Sequence, residues 1–170
     1  MKRIVFLLAF CTAVFSVYAQ SSVQSLLVEN KPEPIGLGVG QPRFSWQIQN
    51  KQRATLQTAY EIKVTNGKKV AWSSGKVTAD SSVHVVYKGT PLLSNEKYQW
   101  QVRVWDNHGK SSAWSQPSSF QMGLLNQSDW KAKWIESGKS EDSEYRPSQL
   151  FRKTFNTSKK IQSATIYITA

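Results

Sequence analysis

From residue 43 to residue 122, apolar side chains return at every second position in short runs separated by Gly, Pro, Asn, Asp and Ser. A period of two puts alternate residues on opposite faces of a strand, so each run predicts a strand with one buried face. Across 98–106, Tyr98, Trp100, Val102 and Val104 share one face, and Gln99, Gln101, Arg103 and Trp105 share the other. Asp106, Asn107, His108 and Gly109 then supply turn-forming residue types, and Phe120 with Met122 resumes the inward alternation. Phe44, Trp46 and Ile48 mark a second core strand, and Tyr60, Ile62 and Val64 a third. Asn66-Gly67 allows a tight turn with positive φ, which predicts that Val70-Ala71-Trp72 returns beside the preceding strand. Residues 25–29 read as an edge strand ended by the stiff Lys31-Pro32-Glu33-Pro34 bend. Residues 83–87 are β-branched enough for another strand, but their alternation leaves its inward face open. With 118–123 this makes about seven strands in roughly a hundred residues and no helical pattern, which predicts an all-β fold, a β-sandwich.

The grammar changes beyond Gly123. Residues 124–129 form a polar connector, and Trp130, Trp134 and Ile135 make an aromatic strap, the candidate junction to a neighbouring domain. Residues 137–148 read as a long polar loop. Two further strands are expected at 150–155 and 164–169, with Ala164, Ile166 and Ile168 on one face. Two strands alone are marginal in water, so they predict the opening of a second, incomplete β-sandwich that continues elsewhere in a longer polypeptide. The expected organisation is a signal segment at 1–19, a leader at 20–24, the first sandwich at 25–124, a linker carrying the strap at 125–148 and the start of the second sandwich at 149–170.

Lys2 and Arg3, the apolar run 4–15 and the small-x-small triplet Val17-Tyr18-Ala19 have the form of a secretory signal cut after Ala19. That run falls short of the ~20 residues that span a bilayer, so a secreted or periplasmic protein is expected, with no membrane partner after cleavage. Cys11 is the only cysteine and leaves with the signal, so no disulfide supports the mature chain. Burial must hold it together, and seven Trp, six Tyr and seven Phe provide the apolar area. The formal charge of +11 raises the question of a polyanionic partner. The lysines, among them Lys31, Lys51, Lys68, Lys69, Lys76, Lys97 and Lys110, are scattered through turns without a nucleic-acid-binding signature, so a solvated basic surface is the plainer reading and nucleic acid is not expected as a partner. The same charge could steer acidic polysaccharide, although no patch in the sequence demands it.

The order Phe44-x-Trp46, Tyr60-x-Ile62-x-Val64, Leu92 with Tyr98 six residues on, and Val102 with Val104 before a turn at Gly109 resembles a fibronectin type III module, an immunoglobulin-like fold. The resemblance implies that Tyr98 is the corner tyrosine, whose hydroxyl bonds to nearby backbone. Trp114-Ser115 resembles half of the tryptophan-serine repeat of cytokine-receptor modules, which implies that Arg103 stacks on Trp114 or Trp105. The alternative places Trp105 beneath a neighbouring domain.

The ordered series PRFSWQ from Pro42, QTAYEIKV from Gln57, VRVWDNHGKSSAWS from Val102, FQMGLL from Phe120, SDWKAKWI from Ser128 and FRKTF from Phe151 is similar to the N-terminal region of bacterial α-L-rhamnosidases. That resemblance implies an accessory region of an enzyme that hydrolyses terminal α-L-rhamnose with inversion. A β-sandwich and an (α/α)-barrel catalytic domain would follow it, so the expected partners are downstream domains of the same polypeptide. Inverting hydrolysis needs two carboxyl groups roughly 6.5–9.5 Å apart in a cleft. Glu141, Asp142 and Glu144 crowd one polar loop, and Glu61 and Asp80 read as strand and turn residues, so no catalytic residue is assigned in this chain. Neither Asp106 to Gly109 nor His84 has further ligands at metal-binding spacing, so no metal or cofactor is expected. Two alternatives stand beside the enzyme reading. One is a carbohydrate-binding module with Trp72, Trp105 or Trp114 as a platform for rhamnose-containing polysaccharide. The other is an extracellular interaction module.

Overall fold

The computed structural model describes residues 21–136, 138, 144, 145 and 148–168. The signal segment at 1–19 with Cys11, and Glu141 and Asp142 of the polar loop, lie outside the described residues. Seven strands form among the described residues: β1 (Ser22–Val28), β2 (Arg43–Gln49), β3 (Gln57–Asn66), β4 (Lys69–Ser73), β5 (Val85–Val86), β6 (Lys97–Asp106) and β7 (Ser118–Gln121). They pair antiparallel in two sheets, one in the order β1-β2-β5 and the other in the order β4-β3-β6-β7. The fold is the expected immunoglobulin-like, all-β architecture.

Parity decides the core. Tyr98, Trp100, Val102 and Val104 of β6 are all buried, as are Tyr60, Ile62 and Val64 of β3 and Phe44 and Trp46 of β2. Phe44 joins the layers, with its ring 4.6 Å from that of Trp100 and 5.9 Å from that of Phe120. The corner tyrosine is in place: the Leu93 N–H donates to the Tyr98 hydroxyl at 3.0 Å, and the Tyr98 ring stacks on Phe120 at 5.4 Å. Between β3 and β4 the chain reverses over Gly67 and Lys68, with Asn66 opposite Lys69. Gly67 has φ +55° and Lys68 is not in the positive region, so the turn carries the type II′ pattern with glycine at its first central position.

The open face of 83–87 is settled by His84, whose φ of +54° interrupts the alternation. Val83 is consequently 63% exposed, while Tyr87 is buried at 1%. Ser45 lies opposite the core by parity yet is buried, because its hydroxyl accepts the His84 N–H at 3.0 Å.

Two segments change sheets. β1 starts at Ser22, earlier than the expected residue 25, and bulges between Gln24 and Leu27 where Ser25 has φ +53°. After β1 the proline-containing bend carries the chain to the free edge of β7. There the Gln121 N–H donates to the Pro34 carbonyl at 2.9 Å, Leu37 N–H to the Gln121 carbonyl at 3.0 Å and Gly123 N–H to the Leu37 carbonyl at 2.8 Å. Proline suits this position because only its carbonyl is needed. Residues 74–84 cross in the other place, from Val77 bonded to Tyr60 of β3 to the Ser82 carbonyl, which accepts the Trp46 N–H at 2.9 Å. Buried Gln57 pins this crossing: its Oε1 accepts Trp46 Nε1–H at 3.0 Å, and its Nε2 donates to the carbonyls of Ala79 and Ser81 at 3.2 and 2.8 Å.

The chain divides into two compact units, Met1–Lys131 and Ala132–Ala170. In the second, the strands expected at 150–155 and 164–169 are not formed among the described residues. Leu150 is fully exposed, Phe155 is 80% exposed and Ile166 and Ile168 are 84% and 85% exposed. A segment with strand-like alternation has no ladder without a partner strand, and its apolar face gains nothing until something covers it.

Candidate functional site

The outer face of the four-stranded sheet gathers the chemistry of this chain. In the register of β3 with β6, Glu61 lies opposite Arg103, Lys63 opposite Gln101 and Ala59 opposite Trp105. Arg103 Nη2 is 2.6 Å from Glu61 Oε2, and Arg103 Nε donates to the same oxygen at 2.8 Å. The Arg103 guanidinium carbon stands 4.9 Å from the Trp114 ring centroid and 5.0 Å from that of Trp105, so the stacking partner is both indoles. Lys63 Nζ lies 4.9 Å from the Trp114 centroid and Lys76 Nζ 4.6 Å from that of Trp105. The result is a ladder in the order Lys76, Trp105, Arg103, Trp114, Lys63.

Trp114 reaches this row because residues 111–115 continue the edge of β6 beyond β7. Ser112 N–H donates to the Val104 carbonyl at 2.8 Å and Ser115 N–H to the Val102 carbonyl at 2.9 Å. In return the Ser112 hydroxyl accepts Val104 N–H at 3.0 Å and the Ser115 hydroxyl accepts Val102 N–H at 3.1 Å. The two buried serines thereby complete the strand edge with their side chains. Each cation–aromatic contact at an exposed site contributes about 0.5–1 kcal/mol, and the half-exposed ion pair at most about 1 kcal/mol. The ladder therefore stiffens the face and fixes its cations. A sugar ring stacking on Trp105 or Trp114 would compete with those cations for the indole surface.

The remaining sequence candidates lie apart from this row. Trp72 is half-buried, with its ring centroid 5.1 Å from Tyr87 and 6.3 Å from Phe44, so much of its surface packs on the core. Trp130 is 39% exposed and follows a single 3-10 turn at Gln127–Asp129. Asp129 fixes that turn within the first unit, accepting from the Ser94 hydroxyl and, at 3.0 Å, from Asn126 N–H. Trp134 and Ile135 belong to the second unit and are 81% and 70% exposed.

Several carboxylates are spent on the fold. Glu29 holds Arg43 by three side-chain hydrogen bonds and also accepts its backbone N–H at 2.7 Å; the Arg43 side-chain hydrogen bond holds its carboxyl below the ordinary value. Burial tends to raise Asp106, but the N–H groups of Lys110 and His108 and the Ser21 hydroxyl outweigh it and hold the group below its ordinary value. Asp129 is lowered by the Ser94 hydroxyl and then by Asn126. A general acid at neutral pH needs the opposite shift. Asp106 to Gly109 is the expected turn, closed further by Asn107, whose Oδ1 accepts Leu56 N–H at 3.0 Å.

The family described as Rha78A-like, N-terminal immunoglobulin domain matches residues 23–126, which take in the seven strands but for the first residue of β1. The chain belongs to that family. It is similar to an alpha-L-rhamnosidase of Formosa agariphila, 36% identical over an alignment 164 residues long that covers 89% of this chain and 18% of that protein. The crystal structure of Streptomyces avermitilis alpha-L-rhamnosidase complexed with L-rhamnose matches with 40% identity and a TM-score of 0.66, covering 68% of this chain and 12% of that one. The alpha-L-rhamnosidase structure from Dictyoglumus thermophilum matches with 33% identity and a TM-score of 0.65, covering 68% and 14%. The chain spans 12% to 21% of the length of the curated relatives it matches.

Sequence reasoning found Arg103 and Trp114 but missed Lys63, Lys76, Ser112 and Gln57. The outward parity of Lys63 beside Arg103 was a usable signal. Lys76 lies in a crossing loop and carries none.

Proposed function

We propose that this chain is the non-catalytic N-terminal region of a secreted α-L-rhamnosidase, an enzyme that removes terminal α-L-rhamnose from glycans or glycosides with inversion. Similarity at 36% identity across 89% of the chain to a protein named alpha-L-rhamnosidase carries this reading. The reacting carboxyl pair is assigned to another part of the polypeptide, in keeping with the lowered carboxyls of Glu29, Asp106 and Asp129. The region's task is to brace its neighbours, with the exposed Trp130, Trp134 and Ile135 as the surface they cover.

Assay of this region joined to the domains proposed to follow it, on an aryl α-L-rhamnoside, tests the reading, with turnover expected there and none from the 170-residue chain alone. Hydrolysis by the 170-residue chain, or an inert full-length product, overturns it.

A further inference from the structure

A groove of about 450 Å³ opens at the side of the first unit, where residues 74–84 cross between the sheets. Tyr60 and Trp72 line it, with Val77 and Val85 among its apolar walls and His84 and Lys88 among its polar ones. Its lining residues include no carboxylate. The volume falls in the range of small-ligand sites, about 300–1,000 Å³.

Two polar atoms distinguish this place. Buried aromatic residues ordinarily find a partner for their hydroxyl or indole N–H. Tyr87 donates to the Thr90 carbonyl at 2.8 Å, Tyr98 accepts from Leu93 at 3.0 Å and Trp46 donates to Gln57 at 3.0 Å. Tyr60, only 9% exposed, has no hydrogen-bond partner for its hydroxyl among the described residues, and Trp72 has none for its indole N–H. Neither atom is sealed from solvent, unlike the indole nitrogen of Trp100. Both residues line the same groove, where Lys88 adds a cation without an ion pair among the described residues.

We propose that this groove binds one 6-deoxy pyranose unit of a rhamnose-containing glycan. The deoxy methyl and the C–H face of the ring lie against Val77 and Val85, and the ring hydroxyls accept from Trp72 Nε1 and exchange hydrogen bonds with the Tyr60 hydroxyl. The groove chemistry asks for a hydroxylated ring with one apolar face; the choice of rhamnose rests on the function proposed above.

The test is titration of L-rhamnose into the chain, followed by the indole N–H resonances in heteronuclear NMR, with Trp72 assigned through Trp72→Phe. Trp72 should shift and saturate, and glycerol should produce no saturating shift. Tyr60→Phe keeps the ring against Trp46 and should weaken binding roughly fivefold, about the worth of one neutral hydrogen bond. A shift that never saturates, saturation at Trp105 or Trp114 in place of Trp72, or an unchanged affinity in a folded Tyr60→Phe chain overturns the assignment. Turnover by the full-length protein without binding here removes the groove alone. Binding here without turnover removes the enzymatic reading and leaves the groove.

Discussion

Replacing Gln57 by Leu keeps a side chain of similar size and deletes three hydrogen bonds at the crossing between the sheets. The indole N–H of Trp46 suffers most, because Trp46 is 2% exposed and water does not replace the lost acceptor. Leaving such a donor unpaired costs about 1–3 kcal/mol. The carbonyls of Ala79 and Ser81 sit nearer the surface and regain water, so each loses about 0.5 kcal/mol. Burial of the leucine returns up to about 1 kcal/mol, for a net loss of about 2 kcal/mol. In a unit of this size that lowers the melting midpoint by roughly 10 °C. Urea unfolding followed by tryptophan fluorescence should show a lower midpoint with an unchanged slope. A midpoint equal to the parent's would refute the role given to Gln57. Gln57→Glu sharpens the test: it keeps an acceptor for Trp46 but turns an oxygen towards two carbonyls, which raises the carboxyl pKa in the folded state. The stability of that variant should be greatest in acid and fall as pH rises through the folded value.

Tyr98→Phe should cost about 1 kcal/mol by removing the acceptor of Leu93 N–H, and a melt that overlays the parent curve would contradict the corner assignment. Arg103→Ala removes contacts to Glu61, Trp105 and Trp114 and should cost about 1–2 kcal/mol in urea midpoints, with a changed near-ultraviolet dichroism from the two indoles. An unchanged spectrum would mean that the indoles do not depend on the guanidinium. Asp106, lowered in the folded state, contributes stability above its unfolded pKa that is lost as pH falls through its folded value. Asp106→Asn should therefore flatten the acid limb of stability against pH, and identical limbs would argue against it.

The core strands were legible because parity is a strong signal where one face is buried: Phe44, Trp46, Ile62, Trp100 and Val102 could be placed without coordinates. The face of 83–87 was not, because His84 adopts a positive φ, which remains uncommon even for histidine and cannot be placed from alternation. The bend after β1 read as a simple break, since proline advertises a missing donor and says nothing of what its carbonyl will do. At the ladder, alternation and the Trp-Ser pair exposed Arg103 and Trp114, while Ser112 and Gln57 look like ordinary surface residues until a distant strand or indole is beside them. The alternation at 150–155 and 164–169 describes a preference that only a partner strand converts into structure.

The bonds from 33–37 to β7 have a consequence for the order of events during synthesis. Glu33 accepts from Ser119 N–H across a separation of 86 residues, so the leading edge of the sandwich leaves the ribosome long before its mate exists. Contacts of such high sequence separation slow folding, and until β7 is made both 33–37 and the edge of β6 lack the strand they bond and stay open to intermolecular pairing. The interval between translating Pro34 and translating Gln121 is therefore the window in which this chain is most vulnerable to aggregation, and a chaperone that guards it need only act until β7 emerges.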